Sequence, residues 1–171
     1  MSGAEFSHMI DPHHVDTRPV RLVADELQRA ALAERFGLVS IGRLQAELAL
    51  EADGREVTAR GTMHAAWVQA CAVSGEDLSQ SASEELDLRF VPERAAPATA
   101  DEVIELEPDD LDEIEYSGES FDLGEAVAQS LALAIDPYAT GPDAERVRQE
   151  EGLSGEAESG PFAALAALKK D

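Results

Sequence analysis

Apolar and polar residues alternate with a period of two over three stretches of this chain. Apolar residues occupy every second position from 44 to 50, from 57 to 65 and from 86 to 90. This period indicates strands with one buried face. Asp53-Gly54 between the first two stretches is a hairpin turn signal, and Ser74-Gly75 predicts a second turn. Successive long strands with tight turns predict an antiparallel sheet or a partial β-barrel.

Two segments instead follow the helical period. Asp25 and Gln28 form a capping-box pair before the first helix, and Gly37 ends it. The second helix is predicted from 122 to 135, again with an aspartate at its start. The side chains predicted to face the core are Leu27, Ala31, Leu32 and Phe36 from the first helix and Leu123, Val127, Leu131 and Ile135 from the second. Further short strands are predicted at 18–24, 103–106 and 112–116.

These elements predict an α+β fold with an antiparallel sheet or partial β-barrel and two main helices. A chain of 171 residues has room for one domain with its own core. We expect a flexible N-terminal arm at 1–16, the α+β domain at 17–137, a disordered acidic linker at 138–160 and a short amphipathic C-terminal helix at 161–171. The linker is rich in Glu, Gly and Ser and shows no periodicity.

The composition favours a cytoplasmic protein. No apolar run approaches the ~20 residues of a membrane-spanning helix, and the first residues lack the pattern of a secretory signal. A single cysteine, Cys71, excludes an internal disulfide framework. We therefore expect a soluble protein of the bacterial cytoplasm that does not bind membranes.

The net charge of −23 narrows the classes of partner. Between residues 101 and 158 there are 19 carboxylates against two arginines. A field of this sign repels phosphate backbones and attracts cations and basic proteins. We therefore expect no direct binding of nucleic acid and a basic protein as partner. A solvated face that keeps the chain soluble is an equally simple interpretation of the same charges.

Chemistry-bearing motifs are missing from the sequence. It has no nucleophile elbow, zinc-protease helix or phosphate-binding glycine loop. We therefore expect a protein that is not an enzyme and needs no cofactor or metal. His13 and His14 lie among carboxylates and would be the ligands if the chain were a small hydrolase or metal enzyme, but a mobile arm is the simpler interpretation. Cys71 is interpreted as a small packed side chain whose thiolate is disfavoured, because no Lys or Arg lies nearby.

The predicted helix at 161–171 is too short to be stable alone in water. Its apolar residues stand three apart, so that they form a narrow stripe that must dock either on the domain itself or in a groove of a partner. These residues are Phe162, Leu165 and Leu168.

The ordered set of segments resembles the YceD-like family, the large ribosomal RNA subunit accumulation proteins. The segments that carry the resemblance are 68–78, 88–92, 122–125, 131–137 and 161–169, the last with the pattern Pro-Phe-Ala-x-Leu-x-x-Leu-Lys. Many family members have Cys-x-x-Cys where this chain has Cys71 and Ser74. The resemblance therefore implies that a thiolate-zinc site of relatives is lost here.

The resemblance implies a non-catalytic ribosome-biogenesis factor that promotes synthesis, processing or stability of 23S ribosomal RNA. Combined with the charge, it predicts binding of a basic ribosomal protein or large-subunit assembly factor. The predicted partner-binding residues are Asp109, Asp110, Asp112, Glu113, Glu115, Phe162, Leu165 and Leu168. The alternative is an acidic, phosphate-mimicking regulator of a nucleic-acid enzyme.

Overall fold

The computed structural model describes residues 5–94 and 113–151. The described residues form a five-stranded sheet, a two-stranded sheet and three α-helices. The strands are β1 (Met9–Ile10), β2 (Val20–Val23), β3 (Ser40–Asp53), β4 (Glu56–Ala70), β5 (Asp77–Pro92), β6 (Glu113–Tyr116) and β7 (Phe121–Asp122). The helices are α1 (Glu26–Phe36), α2 (Leu123–Ala134) and α3 (Ala144–Glu150). No helix in this part of the chain is long and apolar enough to span a membrane.

The large sheet has the order β2-β3-β4-β5-β6, and its first four strands are antiparallel. The predicted hairpin between β3 and β4 is confirmed, with Asp53 opposite Glu56. Gly54 in its turn has φ of 63°, a conformation that glycine adopts without a steric penalty. Strand β5 begins nine residues before the predicted 86, because polar or small residues occupy its inward positions from 80 to 84.

One face of the sheet carries the core. Most alternate residues of β3, β4 and β5 that the sequence pattern assigned to this face are buried, including Leu48, Val57, Ala59 and Met63 at 0% exposure, whereas Gly61 and Leu88 are half-buried. Helices α1 and α2 contribute to the same apolar cluster. The other face of the sheet is polar.

Helix α1 begins and ends as predicted. Asp25 and Gln28 form the capping box, and Gly37 ends the helix in a left-handed conformation. The prediction that Leu27 faces the core is wrong, because this side chain is 82% exposed. At about 100° per residue, Leu27 lies some 140° around the helix from the buried Leu32.

Helix α2 is confirmed, with Leu123, Val127 and Leu131 fully buried. Glu125 reaches across to α1, where its two oxygens accept hydrogen bonds from Arg35 at 2.9 and 2.7 Å. This pair lowers the pKa of Glu125. The bidentate contact joins the two helices.

The N-terminal residues differ from the predicted flexible arm over 1–16. From residue 5 onward they contact the start of α2: Phe6 is 4% exposed, and β1 pairs with β7. Asp122 accepts hydrogen bonds from the Ser7 hydroxyl at 2.6 Å and the His8 N–H at 2.8 Å. Two contacts hold this segment: the buried side chain of Phe6, and the carboxylate of Asp122, which also caps α2 by accepting from the Glu125 amide. Neither contact produces a periodic pattern in the sequence.

The expectation of a wholly antiparallel sheet or a partial β-barrel is also corrected. Strand β6 pairs with β5 in parallel. Residues 93–112, which connect the two strands, are long enough to return the chain to the same end of the sheet. The sheet stays open, with β2 and β6 at its two ends.

The predicted disordered linker over 138–160 differs from the structure in its first half. Residues 144–150 form α3, and Ala144 packs with Cys71 and Leu78. The amide of Ala72 donates to the carbonyl of Ala139 at 3.0 Å. The contacts that order this stretch are distant in sequence, so local composition did not reveal them. The predicted strand at 103–106 and helix at 161–171 lie outside the described residues.

Gly61 provides a test of the β3–β4 packing. A Cβ at this position would overlap the backbone of β3, at 2.8 Å from the carbonyl carbon of Glu47 and 2.9 Å from Cα of Leu48. We predict that Gly61→Ala lowers the free energy of unfolding in urea by about 1–3 kcal/mol. Gly42→Ala is the matched control, because its nearest contact would be at 3.8 Å. Equal effects of the two substitutions would contradict this packing.

Candidate functional site

The structure describes two of the eight predicted partner-binding residues, Glu113 and Glu115, which lie on β6. The others lie outside the described residues: Asp109, Asp110, Asp112, Phe162, Leu165 and Leu168. The three aspartates precede Glu113 by at most four residues.

The partner-binding prediction requires Glu113 to face solvent, but in the structure its side chain does not. Its side chain is 7% exposed and lies between two arginines, at 2.8 Å from Arg89 and 3.0 Å from Arg94. Cross-strand charge pairs of this kind hold neighbouring strands together. Glu113 thus anchors β6 to β5, whereas Glu115, two residues further along, is exposed.

A long depression runs along the outer edge of β5. Three hollows of ≈ 570, 250 and 200 Å³ adjoin one another: the first two share Glu84 and Ala134 as lining residues, and the last two share Ser130 and Leu133. We call it the β5 edge groove: β5 residues 80–88 form one wall, and Ala126, Ser130, Leu133 and Ala134 form the other. Its largest hollow is also lined by Trp67 and Gln69 of β4, so that this end lies over the inner face of the sheet as well. Ile114 lies at the end next to β6.

Successive residues of β5, such as Asp87 and Leu88, line the same groove. Because neighbouring side chains of a strand point to opposite faces of the sheet, a groove lined by both kinds must lie over the strand's edge. Within the described residues, β6 is the strand that pairs with this edge, and it does so only over 89–92. Residues 80–88 therefore form an open edge with respect to the described chain.

The lining of the groove is acidic. Five carboxylates contribute to it, and no lysine or arginine of the described residues does. These carboxylates are Glu84, Glu85, Asp87, Glu113 and Asp136. Asp87 also pairs with Arg60 at 3.0 Å on the polar face of the sheet. Because Asp87 and Glu113 are paired with arginines, the negative charge of the groove comes mainly from Glu84, Glu85 and Asp136.

The helical wall of the groove combines this charge with apolar surface. Leu133 is 89% exposed and lies beside Leu88 and Ile114. It points away from the core because α2 buries the stripe at positions 123, 127 and 131. The groove therefore offers both carboxylates and apolar surface to a partner.

Gln69 fixes the chain that follows α2. This buried glutamine accepts a hydrogen bond from the Trp67 ring N–H at 2.8 Å and donates one to the carbonyl of Asp136 at 2.7 Å. The contact ties the end of α2 to β4 and so positions the helical wall of the groove. Sequence analysis missed this role, since a polar residue in an apolar run carries no sign of its partner.

Cys71 lies at the end of β4, where it packs with Leu78 and Ala144 as the sequence analysis expected. The expectation that its thiolate is disfavoured is wrong. The Ser74 side chain, with backbone N–H groups of Gly141, Ser74 and Val73, lowers the pKa of Cys71 to about 6. The Gly141 and Ser74 amides lie 3.3 and 3.4 Å from the sulfur. Hydrogen-bond donors thus replace the cations whose absence guided that expectation.

The histidines of the N-terminal segment form no metal cluster. His14 hydrogen-bonds to Asp11 at 2.7 Å with its side chain 82% exposed, and the His13 amide binds the same carboxylate. Within residues 5–94 and 113–151, no group of three or more His, Cys, Asp or Glu side chains is arranged to hold a metal ion.

Sequence analysis identified the acidity of the chain but not the groove. One signal was available: Leu133 lies outside the four-residue stripe of α2, so that its exposure follows from the helical period. The alignment of Glu84, Glu85 and Asp87 with α2 depends on how the helix crosses the sheet, which no local pattern reveals.

Comparison with known proteins provides one finding. A family model described as "Large ribosomal RNA subunit accumulation protein YceD" matches residues 59–169. No curated protein and no solved structure matches the chain.

The two carboxylates of β6 are predicted to behave differently on substitution. We expect Glu113→Gln to lower the free energy of unfolding by about 1–3 kcal/mol, because it removes the nearly buried charge that holds β6 to two arginines, while Arg89 keeps its pair with Glu56. The control Glu115→Gln should change it by less than about 0.5 kcal/mol. Urea unfolding measures both. A Glu113→Gln protein with unchanged stability would contradict the anchoring role.

The hydroxyl of Ser74 is predicted to control the Cys71 thiol. We expect Ser74→Ala to raise the pKa of Cys71 from about 6 toward its usual value. The ultraviolet absorbance of the thiolate, followed during a pH titration, should then develop at higher pH than in the original protein. Ser79→Ala, on the exposed side of β5, is the matched control. An unchanged titration of Cys71 in the Ser74→Ala protein would contradict this assignment.

Proposed function

Because the chain belongs to the YceD family of large ribosomal RNA subunit accumulation proteins, we propose that it promotes 23S ribosomal RNA accumulation by binding a basic protein. The partner is a ribosomal protein or an assembly factor of the large subunit. In this proposal the chain is not an enzyme: it acts by holding the partner and performs no reaction on the RNA.

The observation that carries the proposal is the acidic strip along the β5 edge groove. Glu84, Glu85 and Asp87 follow one another along β5, with Glu84 on the inner side of the strand and the other two on the polar side, and the groove ends at β6. Residues 95–112, with seven further carboxylates, join the described chain between Arg94 and Glu113. Glu115 on β6, which follows this segment, is exposed.

Electrostatics suggests how such a surface acts. Ribosomal proteins bind RNA through lysines and arginines, and unshielded basic surfaces attach to any polyanion. A carboxylate surface neutralises these side chains until ribosomal RNA, which has a higher density of negative charge, displaces it. The apolar residues Phe162, Leu165 and Leu168 would add a contact that does not depend on salt.

A pull-down experiment tests the proposal. We predict that the intact chain recovers basic large-subunit proteins or assembly factors, identified by mass spectrometry. Recovery should fall by roughly tenfold after Asp109→Asn, Asp110→Asn, Asp112→Asn and Glu115→Gln are combined, because fewer charges attract the partner. The control exchanges Asp16, Glu26, Glu34 and Asp53 for their amides, which removes the same charge elsewhere.

Two outcomes would contradict the proposal. Recovery of a nuclease or polymerase without ribosomal components would favour the phosphate-mimicking regulator instead. Submicromolar binding of naked 23S fragments at physiological salt, with no basic protein recovered, would overturn the charge argument. A parallel measurement of 23S relative to 16S RNA in cells with the combined variant connects binding to accumulation, and we expect a lower ratio.

A further inference from the structure

We propose that residues 80–88 at the outer edge of β5 bind an extended segment of alternating basic and apolar residues as an added β-strand. The inference rests on the proposed function, since it specifies how a basic partner engages the acidic surface.

No strand of residues 5–94 or 113–151 pairs with the outer edge of β5 over 80–88. Over 80–88 its inner side pairs with β4, whereas its outer side lines the groove and pairs with no strand of the described residues. Alternate residues of such an edge direct their N–H and C=O groups outward, which is a template for another strand. Nine residues extend over about 30 Å, enough for a strand of ordinary length.

Strand β6 shows that this edge accepts a strand. It pairs with β5 from Arg89 to Pro92, directly beyond the open stretch. A strand added opposite 80–88 would lie in line with β6 along the same edge of β5, and it would end next to Glu113, the first residue of β6.

Side chains of the groove specify the composition of the segment. Side chains of an added strand alternate between two faces. On one face they meet the apolar surface of Leu86, Leu88, Leu133 and Ile114. On the other face they meet Glu85 and Asp87 of the polar side of the sheet. A segment with apolar and basic residues in alternation satisfies both faces at once.

The charges also select against competing occupants. A second copy of β5 would bring Glu84, Glu85 and Asp87 close to the same residues of the first copy, which is unfavourable. The chain's own segment 95–112 carries seven carboxylates and no cation. A basic strand is the occupant for which the electrostatic energy is favourable.

The test uses the full chain and a synthetic peptide of about eight residues in which Lys and Ile alternate. We expect saturable binding in calorimetry that weakens as salt is added. N-methylation of alternate peptide amides blocks one edge of the strand. Methylation of one set should weaken binding at least roughly tenfold, and methylation of the other set should change it little, because only one edge pairs with β5.

Protein variants locate the site. Glu84→Gln with Glu85→Gln should weaken binding by roughly tenfold, and Leu133→Gln by a smaller factor. The control Glu34→Gln with Glu51→Gln removes the same charge from α1 and β3 and should leave binding unchanged. Circular dichroism checks that each variant is folded.

The results of these binding experiments distinguish a failure of strand addition from a failure of the proposed function. Equal binding of both methylated peptides, with the Glu84 and Glu85 dependence kept, overturns strand addition but supports an acidic partner site. Binding that ignores Glu84 and Glu85 overturns the location. Failure of the chain to bind this peptide or any basic large-subunit protein overturns both.

Discussion

The alternation of side chains along β3, β4 and β5 is the constraint on which the rest of the structure depends. Because one face of these strands is apolar, α1 and α2 must lie on that face, and the polar residues remain on the other. A shift of one residue between strands would reverse both faces. Gly61, which allows close approach of the β3 backbone, helps to keep this pairing.

Helix α2 packs on the sheet through its apolar residues at 123, 127 and 131, and this orientation determines which parts of the sheet the helix leaves uncovered. The helix covers the inner positions of the sheet, and in the described part of the chain no strand pairs with the outer edge of β5 between Gln80 and Leu88. Exposed edges usually carry charges that prevent self-association. Here the charges are all of one sign, so that protection against self-association and attraction of a basic chain have the same physical origin.

Local patterns were sufficient for the β3–β4 hairpin, the capping box of α1 and the core stripe of α2, since each depends on neighbours in sequence. They did not reveal the parallel pairing of β6, which depends on the path of residues 93–112. Nor did they reveal the packing of residues 138–151, whose contacts include Cys71 some 70 positions away. The acidity of the site was visible in the sequence, but its alignment along one strand required the register of the sheet.

Amide hydrogen exchange of the full chain with the alternating Lys and Ile peptide tests the central claim most directly. The account predicts slower exchange at alternate amides within 80–88 and no change along β3, whose residues pair with β2 and β4. Slower exchange only at amides outside residues 80–88 would contradict it.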